Sequence, residues 1–232
     1  MDEKNNKCIP IIPSYLKFSP AYNYINSNKI KLPTKLNAND SSDMLKVSED
    51  GLKLVYVGDI IAHLDLRFTF VGSIRANYHV PPEVGLFYYE INVIDKGTRG
   101  IIGLGFCEPN IRLGGMPGWD YRSYGYHGDD GQKFASSGKG SSYGPTFTTG
   151  DTIGVGINFY NNTMFFTKNG IHLGTAFTDV DSNVLYPVIG MRSLRECVVV
   201  NFGQKSFMFD IDQYAQKVIN EISDNEQKKT ST

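Results

Sequence analysis

The chain has 232 residues, 23 Lys+Arg against 24 Asp+Glu, a formal net charge of −1 and 41% hydrophobic residues. This balance lacks the clustered basic face of a nucleic-acid binder, and the sequence has no run of roughly 18 apolar residues to span a membrane. Cys8, Cys107 and Cys197 are few and widely spaced, which fits free thiols in a reducing compartment better than a disulfide frame or a zinc site.

An N-terminus that leads with acids and lacks an apolar core argues against secretion. The expected compartment is the cytoplasm, with the nucleus as a second one. Residues 1–44 mix Pro, Asn, Ser and Lys with isolated Ile11, Ile12, Tyr15, Leu16, Phe18, Tyr22 and Tyr24. They predict an extended arm, part of which docks on the core. From 45 to 210 the signals are those of strands. Residues 52–57 follow a Ser-Glu-Asp-Gly turn, and 86–94 alternate, with Phe87, Tyr89, Ile91 and Val93 on one side. In the strand at 101–107, Gly103 and Gly105 leave room for a neighbouring ring or backbone.

The spacing of Asn161-Asn162 and Asn169-Gly170 predicts two type I′ hairpin turns and an up-down-up meander over 152–177. Its first strand sets Ile153, Val155, Ile157 and Phe159 against Gly154, Gly156, Asn158 and Tyr160, a half-buried pattern. Strands near 185–191 and 196–203 follow. Residues 211–223 predict one amphipathic helix, capped by Asp210 or Asp212 and packed on its own sandwich or leading to further domains. Residues 224–232 are charged and polar, and are expected to be disordered.

The most informative stretch is 113–131, which holds six glycines, one proline, four aromatics and three acids in nineteen residues. So many glycines exclude a helix, and so many aromatics exclude a flexible linker. Asp120, Asp129 and Asp130 match no calcium loop, which needs oxygens at alternate positions and a distal Glu. They are expected to accept backbone N–H bonds in turns, with His127 a neutral, hydrogen-bonded residue. Trp119 is expected buried or half-buried, with an exposed anchor as the alternative. No serine or cysteine sits in a nucleophile elbow, and no glycine-rich stretch has the strand–loop–helix setting of a phosphate cradle. The expectation is no enzyme, no cofactor and no metal.

Several motifs occur in a fixed order: Ser48-Glu-Asp-Gly-Leu-Lys-Leu-Val-Tyr, Ser73-Ile-Arg-Ala, Tyr88-Tyr-Glu-Ile, Pro117-Gly-Trp-Asp, Ser123-Tyr-Gly-Tyr-His-Gly-Asp-Asp-Gly, Gly144-Pro-Thr-Phe-Thr-Thr-Gly-Asp, Phe166-Thr-Lys-Asn-Gly, Leu185-Tyr-Pro and Val200-Asn-Phe-Gly. Together they resemble the RanBPM branch of the SPRY-domain family over about residues 45–210. The resemblance implies an all-β fold, an antiparallel two-sheet SPRY/B30.2 sandwich. It also implies a non-catalytic protein-binding role in scaffold subunits of the GID/CTLH ubiquitin ligase, beside an armadillo-repeat subunit. The Asn-rich arm would suit a fungal member.

In peptide-binding SPRY relatives three loops at one end form the surface. Their counterparts here are 77–83, 108–119 and 191–196, which carry Tyr78, His79, Arg112, Leu113, Met116, Trp119, Arg192, Leu194 and Arg195. The arginines suit an acidic or polar peptide, because guanidinium groups bind carboxylates bidentately. Two other classes compete. A lectin-like jelly roll would use Trp119 and Asp120 to hold sugar. A SPRY trafficking adaptor would carry Pro-Pro-x-Tyr, which Pro81-Pro82-Glu-Val does not provide.

Overall fold

A computed structural model describes residues 12–58, 70–182 and 184–230. Ile11, His63 and Cys8 lie outside them. Among the described residues fourteen strands form two seven-stranded antiparallel sheets. The first holds, in spatial order, β1 (Leu36–Ser41), β4 (Gly72–Ala76), β13 (Tyr186–Met191), β6 (Ile102–Cys107), β7 (Ser123–His127), β8 (Gln132–Ala135) and β9 (Ser141–Ser142). The second holds β12 (Ile171–Phe177), β11 (Thr163–Lys168), β10 (Thr152–Asn158), β5 (Leu86–Lys96), β14 (Glu196–Asn201), β3 (Lys53–Tyr56) and β2 (Leu45–Val47). The inward residues of β5, Phe87, Tyr89, Ile91 and Val93, are all at most 1% exposed. The Tyr89 hydroxyl crosses the core and donates to the Gly105 carbonyl at 2.8 Å.

The meander of β10, β11 and β12 forms as the sequence predicts, but its two turns differ. Lys168 pairs with Ile171 across Asn169 and Gly170, both at positive φ, as a type I′ turn requires. The other connection spans four residues, 159–162, because Asn158 pairs with Thr163 and only Asn162 of that loop has positive φ. Nor is β10 half-buried: every residue of it is buried. Its glycine face is filled, because the Tyr88 ring lies over Gly154 and the Phe165 ring over Gly156, where no Cβ would fit. The same logic holds in β6, where His127 and Met116 close on Gly103 and the Tyr124 carbonyl on Gly105.

The arm is more structured than an extended segment. A 3-10 turn at Ser14–Phe18 and a short helix α1 (Tyr22–Asn26) bury Tyr15, Leu16, Ala21 and Ile25, and β1 already belongs to the sandwich. The Tyr15 hydroxyl accepts the Tyr88 N–H at 3.0 Å. Helix α2 (Ile211–Thr230) starts after Asp210, whose side chain accepts the Gln213 N–H at 2.9 Å, a cap one turn deep. It buries Ile211, Ala215 and Val218 and packs on the 3-10 turn of the arm, where the Ser14 hydroxyl donates to Asp212 at 2.8 Å. The helix continues through 224–230, where the polar composition predicts disorder; a regular helical backbone needs no apolar face once its first turns are anchored. The segment before it is held by the buried Glu90 carboxylate, which accepts the Met208 and Phe209 N–H groups and the Tyr88 hydroxyl at 2.9–3.0 Å.

Candidate partner-binding surface

Sheet geometry decides which of the nine predicted residues meet. Strands β4 and β6 both run antiparallel to β13. The loop after β4 therefore leaves at the Tyr186 end of β13, and the loop after β13 at the Met191 end. Six residues of strand put these ends roughly 17 Å apart. Tyr78 and His79 lie at the first end and do not join the others. His79 meets the Tyr186 ring edge-on at 5.9 Å. Tyr78 lines a cleft of about 270 Å³ between the arm and the sandwich, with Ile12, Leu16, Ile30, Phe87 and Phe202.

The loop at 108–119 starts at that same end and then crosses the outer face of the first sheet to the other. Arg75 donates to the Ile111 carbonyl at 3.4 Å, the Ser73 N–H to the Leu113 carbonyl at 2.8 Å, and the Ser73 hydroxyl to the Gly115 carbonyl at 2.5 Å. Arg75 is itself oriented by a two-point pair with Asp40 at 2.6 and 2.7 Å. The loop thereby delivers Met116 and Trp119 to the Met191 end. Met116 is fully buried with Val71 and Ile101, and half-buried Trp119 packs on that small cluster.

The guanidinium of Arg192 covers the Trp119 ring at 5.7 Å, a cation–π contact. Beneath it the 192–195 loop is rigid. The Glu196 carboxylate, fully buried, accepts the Arg192 N–H at 2.7 Å, the Ser193 N–H at 2.9 Å and the Ser193 hydroxyl at 2.5 Å. Burial outweighs these bonds and pushes its pKa up to about 7. Ser193 in turn accepts the Arg99 N–H at 3.1 Å, so the β5–β6 and β13–β14 loops are stitched together. Arg99 is the residue that the sequence reading missed. Its only local signal is the Lys-Gly-Thr-Arg-Gly turn at 96–100, whose Gly97 packs against the Leu194 carbonyl. The charges of Arg99 and Arg192 are close enough that Arg99 helps, after burial, to lower the pKa of Arg192.

Arg112 is highly exposed, with 89% of its side chain in solvent and an ion pair to Asp120 at 3.3 Å. Arg195 is exposed at positive φ, and Leu194 is half-buried against the main core. Asp120 thus sits with Arg112, apart from Asp129 and Asp130, which share the β7–β8 turn with His127. His127 is buried, its Nε2 lies 2.8 Å from the Pro117 carbonyl, and burial lowers its pKa to about 4. Asp130 accepts the Gln132 N–H at 2.9 Å in an Asx turn. Cys107 and Cys197 are free and buried, and burial raises the pKa of Cys107 to about 12, which makes it an inert thiol.

The sequence matches the SPRY domain family over residues 86–205. It is 41% identical over 216 residues to Ran-binding protein 10 of Danio rerio, covering 87% of this chain and 35% of that protein. With the Ran-binding proteins 9/10 homolog of Drosophila melanogaster it shares 44% over 189 residues, 82% of this chain and 19% of that protein. The chain therefore spans about a third or less of the length of these relatives. Both are animal proteins, and they lend the expectation of a fungal source no support. A crystal structure of a human SPRY domain superposes with a TM-score of 0.62 at 29% identity, covering 72% of this chain and 99% of that one.

Proposed function

The chain belongs to the SPRY family and is homologous to the Ran-binding protein 9/10 branch, and on that footing we propose that it is a non-catalytic interaction domain of a GID/CTLH-type ubiquitin-ligase scaffold. It engages other ligase subunits, an armadillo-repeat subunit among them, or a short acidic peptide, through the Met191 end of the first sheet. The observation that carries this reading is Trp119 seated on a buried apolar cluster and covered by Arg192, with Arg99 near Arg192 and exposed Arg112 and Arg195 on the two loops that supply Trp119 and Arg192. Trp and Arg are the residue types that dominate interface energetics, and arginines present paired donors to carboxylates. The platform beneath is held by Glu196 and Ser193, so little ordering is required on binding. Among the described residues no helix is long and apolar enough to cross a membrane. The cytoplasm, with the nucleus as a second compartment, suits a ligase scaffold.

Affinity purification of wild type beside Arg112→Glu/Arg192→Glu, with partners identified by mass spectrometry, tests the proposal. Wild type is expected to recover ligase subunits and the double variant to lose them at least tenfold, while far-ultraviolet circular dichroism stays unchanged. Equal recovery by both would move the contact elsewhere, and absence of ligase subunits from both would refute the scaffold reading.

A further inference from the structure

His127, Asp129 and Asp130 occupy the turn that joins β7 to β8, and one ligand atom from each lies within 4.8 Å of the other two. His127 is 3% exposed. Its Nε2–H is committed to the Pro117 carbonyl at 2.8 Å, and Phe134 stacks on the ring at 4.0 Å. These contacts fix both tautomer and ring orientation. Among the described residues no hydrogen bond reaches Nδ1, a neutral imidazole nitrogen with its lone pair open. A ring N–H held by a backbone carbonyl while the other nitrogen stays open is the arrangement that orients metal-bound histidines.

Asp129 and Asp130 are exposed, so both carboxylates can be reached; Asp130 holds the Gln132 N–H with one oxygen and has a second oxygen to offer. Arg99 and Arg192 act on Asp129 through their charge, but among the described residues no cation forms an ion pair with either acid. Two carboxylates beside a lone pair, with no cation in contact, repel one another.

We propose that His127 Nδ1, Asp129 and Asp130 form a binding site for a divalent transition metal, zinc first. One nitrogen and two carboxylate oxygens suit zinc, at about 2.0–2.2 Å from each ligand, and leave a fourth tetrahedral position open. Closure needs only small side-chain movements in the exposed turn, with Asp130 ligating through the oxygen that Gln132 does not hold, since ligands at that radius stand about 3.3 Å apart. Calcium is a poor fit, because it takes six to eight oxygens and a ring nitrogen displaces one of them. The site borders Trp119, whose ring lies 6.3 Å from that of His127. A ligand from a docked partner can therefore complete the coordination sphere.

The test is calorimetric titration of zinc into the chelator-stripped full chain, beside Asp129→Asn, Asp130→Asn and the double variant. All three substitutions are in an exposed turn, and folding is checked by circular dichroism. Wild type is expected to bind one zinc per chain, each single variant to bind at least about tenfold more weakly, and the double variant not at all. Nitrogen-15 spectra read His127 without mutating a buried residue: saturating zinc is expected to move its Nδ1 resonance. Absence of stoichiometric zinc in wild type, undiminished binding in the double variant, or an unmoved His127 Nδ1 would each overturn the site. So would a cobalt–thiolate charge-transfer band on cobalt substitution, which would place the metal on cysteine.

Discussion

Glu196 is a carboxyl without solvent contact, and its pKa lies near 7 in the fold against 4.5 in an open chain. Between those values the folded protein holds a proton that the unfolded chain has released. Unfolding then releases a proton, so this group favours the fold fully below pH 4.5 and loses that contribution as pH rises through 7. At about 1.4 kcal/mol per pKa unit the contribution is on the order of 3 kcal/mol. Glu196→Gln keeps the shape and an acceptor for the Arg192 and Ser193 N–H groups but cannot titrate. Urea unfolding followed by the fluorescence of Trp119, the sole tryptophan, gives both stabilities from pH 4.5 to 7.5. Every other titrating group cancels in the difference. Relative to the variant, wild type should lose roughly 3 kcal/mol across that window, with a slope near 1.4 kcal/mol per pH unit at its steepest. Parallel profiles would refute the claim that burial outweighs the hydrogen bonds this carboxylate accepts.

Other perturbations test the packing. Tyr15→Ala removes a ring buried to 2% exposure and the acceptor of the Tyr88 N–H. It should destabilise by about 3 kcal/mol and speed proteolysis within residues 14–26 in a time course; an unchanged cleavage rate would mean that the arm does not depend on this anchor. Gly170→Ala places a Cβ at φ +78° against the Met208 carbonyl. It should lower stability by about 1–2 kcal/mol in urea titrations, and no loss would contradict the type I′ assignment.

Where the sequence speaks locally, it speaks well. Asn169-Gly170 can hardly be anything but a tight hairpin, and the alternation in β5 names its inward face. The failures share a cause, which is contact between residues remote in the chain. The small face of β10 looks solvent-exposed until Tyr88 and Phe165, brought by the neighbouring strands, lie across it. Tyr78 and Arg192 both sit in loops after strands of one sheet. They part company only because β4 and β13 are antiparallel neighbours, a pairing between positions over a hundred residues apart. Arg99 is hidden for the same reason, since contacts with the remote 193–196 segment, the Ser193 and Leu194 bonds among them, bring its turn beside Trp119. In 224–230 composition misleads differently, because residues polar enough to stay solvated are also good helix formers once a capped, docked turn precedes them.

The Ser14–Asp212 hydrogen bond has a mechanical meaning. It brings the incoming and outgoing chain together on one side of the sandwich, so pulling on both would load that contact and the first turn of α2 in shear. The two sheets would hang outside the line of force. The strands would then be the last part of the fold to feel a pull applied at those two points.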